Sequence, residues 1–373
     1  MKITVDNRCT DYAGYRAARV KSLFNVESGA NFSLEADLAI DDAGWRVGVV
    51  VGPSGSGKTS IGRLIFPGAM YEPTGWPADA PIIDAIAPGG DFNAVTGALA
   101  AVGLGSVPSW LRPYPVLSNG EKFRADLARV VADAPARVVI DEFTSVIDRQ
   151  IARIGALAFQ KAWRRTAGQC VLLSCHYDIL DWLEPDWIFD TATGQFLRGR
   201  LRRRPVIDLD IWETDWRYWP MFEPHHYLKL PKMPAARCYV GAVGGEPVAH
   251  LAVSSMSAGR GRFEARACRL VIMPEWQGAG LGVRFLNAIC ERYRTGSGHL
   301  SRPATSLFHT SHPGLVAALR RDRAWRQVSA SLHGVNKARS AASMARSRTT
   351  IAAGFGGHLR AVQGFRYFGV PCA

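Results

Sequence analysis

The sequence predicts an α/β protein of two domains, and three observations carry that expectation. Its 373 residues exceed what one hydrophobic core usually organises. Apolar, β-branched runs such as RVGVVVG, ARVVIDE and CVLLSC alternate with helical stretches such as EKFRADLARVVADA. A second alternation begins near Tyr239, beyond a basic run from Arg198 to Arg204 that ends at Pro205 and reads as a solvated linker. The expected domains are therefore 1–200 and 201–373, the second with a mixed sheet and a basic C-terminal extension.

Composition narrows the classes. With 47% apolar and 21% charged residues, the chain can bury two ordinary globular cores. No apolar run approaches the roughly 18 residues needed to span a bilayer, and the start, MKITVDNRCTDYAG, lacks a secretory pattern. No membrane partner is expected. The seven cysteines (Cys9, Cys170, Cys175, Cys238, Cys268, Cys290, Cys372) include no CxxC pair. That argues against a zinc or disulfide framework and for the reduced thiols of a cytoplasm. Charge is uneven: residues 1–200 carry 20 Lys+Arg against 22 Asp+Glu, net −2, and residues 201–373 carry 25 against 10, net +15. A polyanion such as nucleic acid suits the second half; a cofactor-phosphate pocket with scattered surface charge is the plainer alternative.

In the first half, GPSGSGKT at Gly52 to Thr59 follows the apolar run VGVVV and matches the phosphate-loop pattern. Its glycines permit a tight turn whose successive N–H groups can face phosphate oxygens. Gly52, Ser54, Gly55, Gly57, Lys58, Thr59 and Ser60 are the expected nucleotide-binding residues. Lys58 supplies charge to the β- and γ-phosphates, and the Thr59 hydroxyl a ligand to Mg²⁺. Asp141 and Glu142 end the run ARVVIDE, where Asp141 would hold the Mg²⁺ shell and Glu142 would polarise the attacking water.

These motifs and their neighbours resemble the ABC family of ATPases over residues 15–200. LSNGE, from Leu117 to Glu121, resembles the family's signature. SVID, from Ser145 to Asp148, resembles its D-loop, and His176 after VLLSC resembles its switch histidine. The resemblance implies hydrolysis of ATP by a head-to-tail homodimer, in which Ser118 and Gly120 contact the γ-phosphate held by the partner subunit. Two departures stand out. Asn119 replaces the usual second glycine of the signature, and no glutamine lies between Ile61 and Asp91, where the loop that couples such ATPases to a partner domain is expected.

In the second half, RLVIMPEWQGAGLGVRFLNAI places a glycine-rich turn between an apolar strand and an apolar-periodic helix, a backbone cradle suited to a pyrophosphate. A plain tight turn is the alternative. The spacing resembles the coenzyme motif of GNAT acyltransferases over residues 205–330. It implies binding of acetyl-CoA or another acyl-CoA by Ile272, Gln277, Gly278, Ala279, Gly280, Leu281 and Gly282. In that family the splayed strand before the motif also holds the pantetheine arm and thioester. The stretch HPGLVAALRRDRAWR reads as a helix, and the resemblance implies that it lines the acceptor site.

Acid and base are less defined. Glu264, at the start of the strand leading to the motif, is the candidate base, or a solvent-facing strand residue. Trp325 stands where the family usually has an acid tyrosine. His225, His226 and Tyr227 could stack on a nucleobase or belong to the core, and the W…HHY stretch resembles a feature of Mom-type phage DNA-modification enzymes. Arg320, Arg321, Arg323, Arg326, Lys337, Arg339, Arg346 and Arg348 suit phosphate contacts or a solvated surface. Three functions remain open: acylation of nucleic acid, acylation of a protein or small amine, and a nucleotide-switched binding protein.

Overall fold

The computed structural model describes residues 1–7, 12, 14–24, 32–42, 44–199, 202–228, 232–233, 235–259, 262–332, 334–335, 338 and 361–369. Cys9, Cys372, Lys337, Arg339, Arg346 and Arg348 lie outside them. The chain forms two compact units, one made of Met1–Trp76 with Ser118–Pro205, the other of Pro77–Leu117 with Val206–Ala373. Residues 77–117 therefore interrupt the span 1–200 and pack within the second unit. Among the described residues no helix is long and apolar enough to cross a membrane.

The first unit contains strands β1 (Lys2–Asn7), β2 (Phe32–Asp37), β3 (Val47–Val51), β4 (Arg137–Ile140), β5 (Gln169–Ser174), β6 (Trp187–Asp190) and β7 (Gln195–Arg198). The last five form one sheet in the order β4-β5-β3-β6-β7, parallel except for the β6–β7 edge pair. β1 and β2 pair separately and antiparallel. β3 is buried at all five positions, as a central parallel strand covered on both faces must be. Trp45 packs edge-on to Trp187 and stacks on Phe66, joining Ile3 and Val5 of β1 to the sheet core. Because β3, β4 and β5 are parallel neighbours, their carboxyl ends share one edge, where open α/β sheets bind ligands.

One ion pair secures this sheet. Asp186 accepts from the backbone N–H groups of Arg46 and Val47 at 2.7 and 3.0 Å and from Arg164 at 2.9 Å. Burial pushes its carboxyl up, but those two amides and the guanidinium outweigh it and hold the group below its ordinary value. Its contribution is thus complete above the unfolded-state value near 4 and is lost as pH falls through the depressed folded value. Asp186→Ala is expected to cost about 2–3 kcal/mol at pH 7. Urea melts should show the gap between variant and parent closing toward pH 2.

The second unit holds β8 (Asp210–Thr214), β9 (Arg237–Val243), β10 (Glu246–Gly259), β11 (Arg262–Ile272), β12 (Ser306–Thr310), β13 (Trp325–Ser331) and β14 (Val362–Tyr367). Their order is β13-β14-β12-β11-β10-β9-β8. Only β11 and β12 run parallel, and they pair solely over Ala265–Ala267 with Ser306–Phe308. The remainder of β11, Cys268 to Ile272, lies beyond that pairing. The helix expected from HPGLVAALRRDRAWR is shorter than its sequence suggests. It spans Pro313–Arg321, and Arg326 lies on β13. The Asp322 side chain accepts from the Ala324 N–H at 2.9 Å, a local turn that competes with further helix. The C-terminal segment forms β14, inserted between β12 and β13.

Candidate functional sites

At the edge shared by β3, β4 and β5, the first site assembles from three strand ends. The helix Lys58–Ile65 starts directly after Gly57, whose φ of 78° is a left-handed cap open to glycine without strain. The Lys58 ammonium donates to the Gly52 and Pro53 carbonyls at 2.9 and 2.7 Å, so it lies over the loop it serves. Ser56 and Thr191 hydroxyls meet at 2.5 Å and brace the loop against the end of β6. From β4, Asp141 reaches the same helix: the Thr59 hydroxyl donates to its carboxylate at 2.7 Å. A hydroxyl and a carboxylate held in contact beside a phosphate loop are the hard oxygen donors that Mg²⁺ takes, so the residues fit that ion. The Glu142 N–H donates to the other Asp141 oxygen at 2.8 Å, which fixes the aspartate.

His176 follows β5 by two residues, with its N–H donating to the Ser174 hydroxyl at 3.1 Å. Burial first, then the nearby Arg149, lower its pKa; Asp178 opposes them. Its ring is accordingly neutral near pH 7, able to donate from one nitrogen and accept at the other. Asp178 itself is tied by Arg149 and by Arg153 at 3.0 Å. The Asp148 carboxylate caps the helix Arg149–Trp163.

Ser118 caps the helix Asn119–Asp133 through a reciprocal box with Glu121. Ser118 and Asn119 are exposed, and Asn119 occupies the first helical position. Gly120 lies against Ile151, where an added Cβ would come within 3.1 Å. Ser54, Gly55 and Ser60 lie in the loop and first turn of the phosphate-loop helix, where the sequence placed them.

The second unit carries the other site. A short turn at Pro274–Trp276 leads from β11 to Gln277, and the helix Leu281–Arg294 begins after Gly280 at φ 85°. The geometry repeats that of Gly57. The space an added Cβ would take at Gly280 is open, and a helix N-terminus points its unpaired N–H groups there. A Cβ added at Gly282 would come within 3.3 Å of the Ile272 side chain. Gly278 and Ala279 complete the turn, and buried Leu281 anchors it. This concave backbone suits a pyrophosphate, so the residues fit an acyl-CoA.

Gln277 is engaged at both ends. Its amide nitrogen donates to the Ile272 carbonyl at 3.0 Å, and its amide oxygen accepts from the Gly105 N–H at 3.0 Å. Gly105 belongs to residues 77–117, and no local pattern in the sequence marks this meeting.

Glu264 lies eight positions before Ile272 on β11 and accepts from Arg366 of β14 at 3.0 Å. Trp325 is buried against Phe308 and Tyr367 and donates to Asn287 at 2.7 Å, a packing role that places no acid there. The two histidines part ways: His226 is buried against Trp219 and Tyr227, while His225 is exposed.

A third histidine, overlooked in the sequence, lies beneath the aromatic segment. His250 of β10 is fully buried among Trp216, Trp219 and Phe222. Its Nδ1 lies 3.2 Å from the Arg269 carbonyl, beside a β11 bulge where Arg269 adopts φ 55°. Burial holds His250 down to about 4, so it is neutral, and Nδ1 is the donor to that carbonyl. His250 stands inside the apolar run VAHLAV, where a lone strand histidine has no diagnostic spacing.

The first unit is thus a P-loop nucleotide-binding fold, and the second a mixed-sheet fold with a glycine-rich strand-to-helix turn. The chain belongs to the ABC family of ATPases: it is 33% identical over 191 residues to the cytochrome c biogenesis ATP-binding export protein CcmA of Rhodospirillum rubrum, covering 40% of this chain and 79% of that protein. Residues 209–307 match the acetyltransferase (GNAT) family. Two families are therefore fused in one chain. Among solved structures, a post-hydrolysis dimer of the ATP-binding cassette MJ0796 with ADP and Pi is similar at 12% identity and a TM-score of 0.36, covering 46% of this chain and 93% of that one. A putative cobalt transport ATP-binding protein is similar at 18% identity and a TM-score of 0.35, covering 51% and 80%.

Proposed function

We propose that this chain binds and hydrolyses ATP in order to drive or gate the transfer of an acyl group from acyl-CoA to nucleic acid. Membership of the ABC family supports ATP chemistry, and the GNAT match supports acyl transfer. The observation that carries the acceptor is the charge asymmetry, with net +15 confined to residues 201–373. Arg320, Arg321, Arg323 and Arg326 are all exposed, displaying part of that charge at the end of the helix Pro313–Arg321 and the start of β13. Such arginines contact phosphates without reading sequence. Lys58, Thr59 and Asp141 would hold the nucleotide and Mg²⁺, and Glu142 with His176 would prepare the water. The exposed Ser118 would meet the γ-phosphate on a second copy, making the working unit a homodimer through the ATPase halves. Glu264, anchored by Arg366, is the proposed base for the acceptor.

Binding to DNA or RNA should weaken steeply with salt. The double variant Arg321→Ala, Arg323→Ala should reduce the slope of log K against log salt by about 2, measured by filter binding of duplex and single-stranded probes. Nucleoside mass spectrometry on cells expressing the parent, Lys58→Ala or Gly280→Asp tests the transfer. A new nucleoside mass only with the parent is the expected result. Acylation confined to proteins or small amines overturns the acceptor assignment.

A further inference from the structure

Residues 77–117 join the two halves of the ATPase sequence, yet they are built into the acyltransferase unit at its coenzyme turn. Their contact is close and backbone-led. Gly103 adopts φ 85°, and a Cβ built there would fall 2.2 Å from the Gln277 carbonyl oxygen, so only glycine fits. Two residues on, the Gly105 N–H donates to the Gln277 side chain at 3.0 Å, and the Gly105 carbonyl meets His312 Nε2 at 3.0 Å. His312 Nδ1 accepts from the Leu315 N–H as a helix cap, which leaves Nε2 as the proton donor to Gly105. A Cβ added at Gly314 would fall 2.5 Å from the Ala100 methyl, so the helix Phe92–Ala101 and the helix Pro313–Arg321 touch without a spacer.

The other end of this segment is rooted in the ATPase. Its first neighbour, Trp76, donates to Asp126 at 2.9 Å and lies under Arg129, whose guanidinium carbon is 3.5 Å from the ring centroid. Tyr71 donates to the same carboxylate at 3.1 Å, and Arg129 to the Thr74 carbonyl at 2.9 Å. Asp126 and Arg129 both belong to the helix that Ser118 caps, and the segment's last residue, Leu117, leads directly into Ser118. Both ends of the segment therefore start from the signature helix, and its middle holds the coenzyme turn.

We infer that Gly103 and Gly105 are positioning residues for the acyl-CoA site, through which the nucleotide state of the signature helix sets acyl-CoA affinity. Gln277 acts as a brace between Ile272 and Gly105, and the segment fills the coupling role for which the sequence offers no glutamine loop. The inference rests on the acyl-CoA reading of the Gln277–Gly282 turn.

Isothermal titration of acetyl-CoA into the full chain tests it, using Glu142→Gln as background so that ATP persists. With Mg-ATP present, acetyl-CoA affinity should differ about tenfold from the nucleotide-free value. By reciprocity, acetyl-CoA should shift ATP affinity by the same factor. Adding Gly103→Ala should abolish both shifts while ATP still binds, and Gln277→Ala, which introduces no clash, should shrink them. Gly97→Ala, with open space at its Cβ in the same segment, should keep them. Acetyl-CoA affinity unaffected by ATP overturns the inference, as do shifts that survive in both Gly103→Ala and Gln277→Ala. Failure of the parent to bind acetyl-CoA in any state instead removes the acyltransferase reading, and this inference with it.

Discussion

Replacing Glu142 by Gln is expected to lower ATP turnover by about two to four orders of magnitude while ATP binding stays near the parent value. The amide matches the carboxylate in shape but cannot take a proton from water. Its backbone is also unchanged: Glu142 adopts φ 46°, and Gln pays the same cost there, so folding should be equal in the two chains. Lys58→Ala should behave differently, losing ATP binding itself, because it removes the only ammonium laid over the phosphate loop's carbonyls among the described residues. Steady-state phosphate release and ATP titration separate the two variants. If Glu142→Gln keeps turnover within about tenfold of the parent, Glu142 is not the base, and neutral His176 is next. The same variant, loaded with ATP, should double its mass in light scattering if Ser118 meets the nucleotide of a second copy. A monomer under those conditions removes the dimer from the proposal.

What the sequence disclosed was whatever is written in short windows. The phosphate loop, the Asp141–Glu142 pair and the Gln277–Gly282 turn each need particular residues at fixed local spacings, consecutive N–H groups in the two turns and adjacent carboxylates in the pair. Capping is also local: S-x-x-E at Ser118 to Glu121, noticed in the sequence only as a likeness to the family signature, also forms the box that starts the helix Asn119–Asp133. The strand ends that meet at Thr59 and Asp141 were legible only as separate motifs; parallel pairing of β3, β5 and β4 supplies the 2.7 Å contact. The membership of residues 77–117 was not legible. GALAAVGLGS looks like a helix and a turn in any fold, and the choice of partner is made by His312, 207 residues away from Gly105. β14 was not legible either: its burial alternates only in part, with Val362, Gly364, Phe365 and Tyr367 buried and Gln363 and Arg366 partly exposed, and its neighbours β12 and β13 are set by tertiary pairing.

The largest effect on the second unit is expected from Gly280→Asp, with Gly280→Asn as its control. Both residues tolerate the left-handed backbone that φ 85° demands better than other side chains do, and the space at this Cβ is open, so neither should unfold the domain. They differ in charge alone. A carboxylate at the N-terminus of the helix Leu281–Arg294 occupies the favourable end of that dipole, which stabilises the free protein. It also repels the pyrophosphate that the same N–H groups would bind, and like charges brought together this closely cost several kcal/mol. Gly280→Asp should therefore weaken acetyl-CoA binding by at least about a hundredfold, with thermal stability equal to or above that of Gly280→Asn. Gly280→Asn should lose about tenfold or less, from crowding. ATP hydrolysis is the internal check: because the nucleotide groups lie on β3, β4 and β5, its rate without acyl-CoA should be unchanged in both variants. Equal acetyl-CoA affinities for the Asp and Asn chains would mean that the turn holds no phosphate, and the coenzyme would have to be sought elsewhere on the second unit.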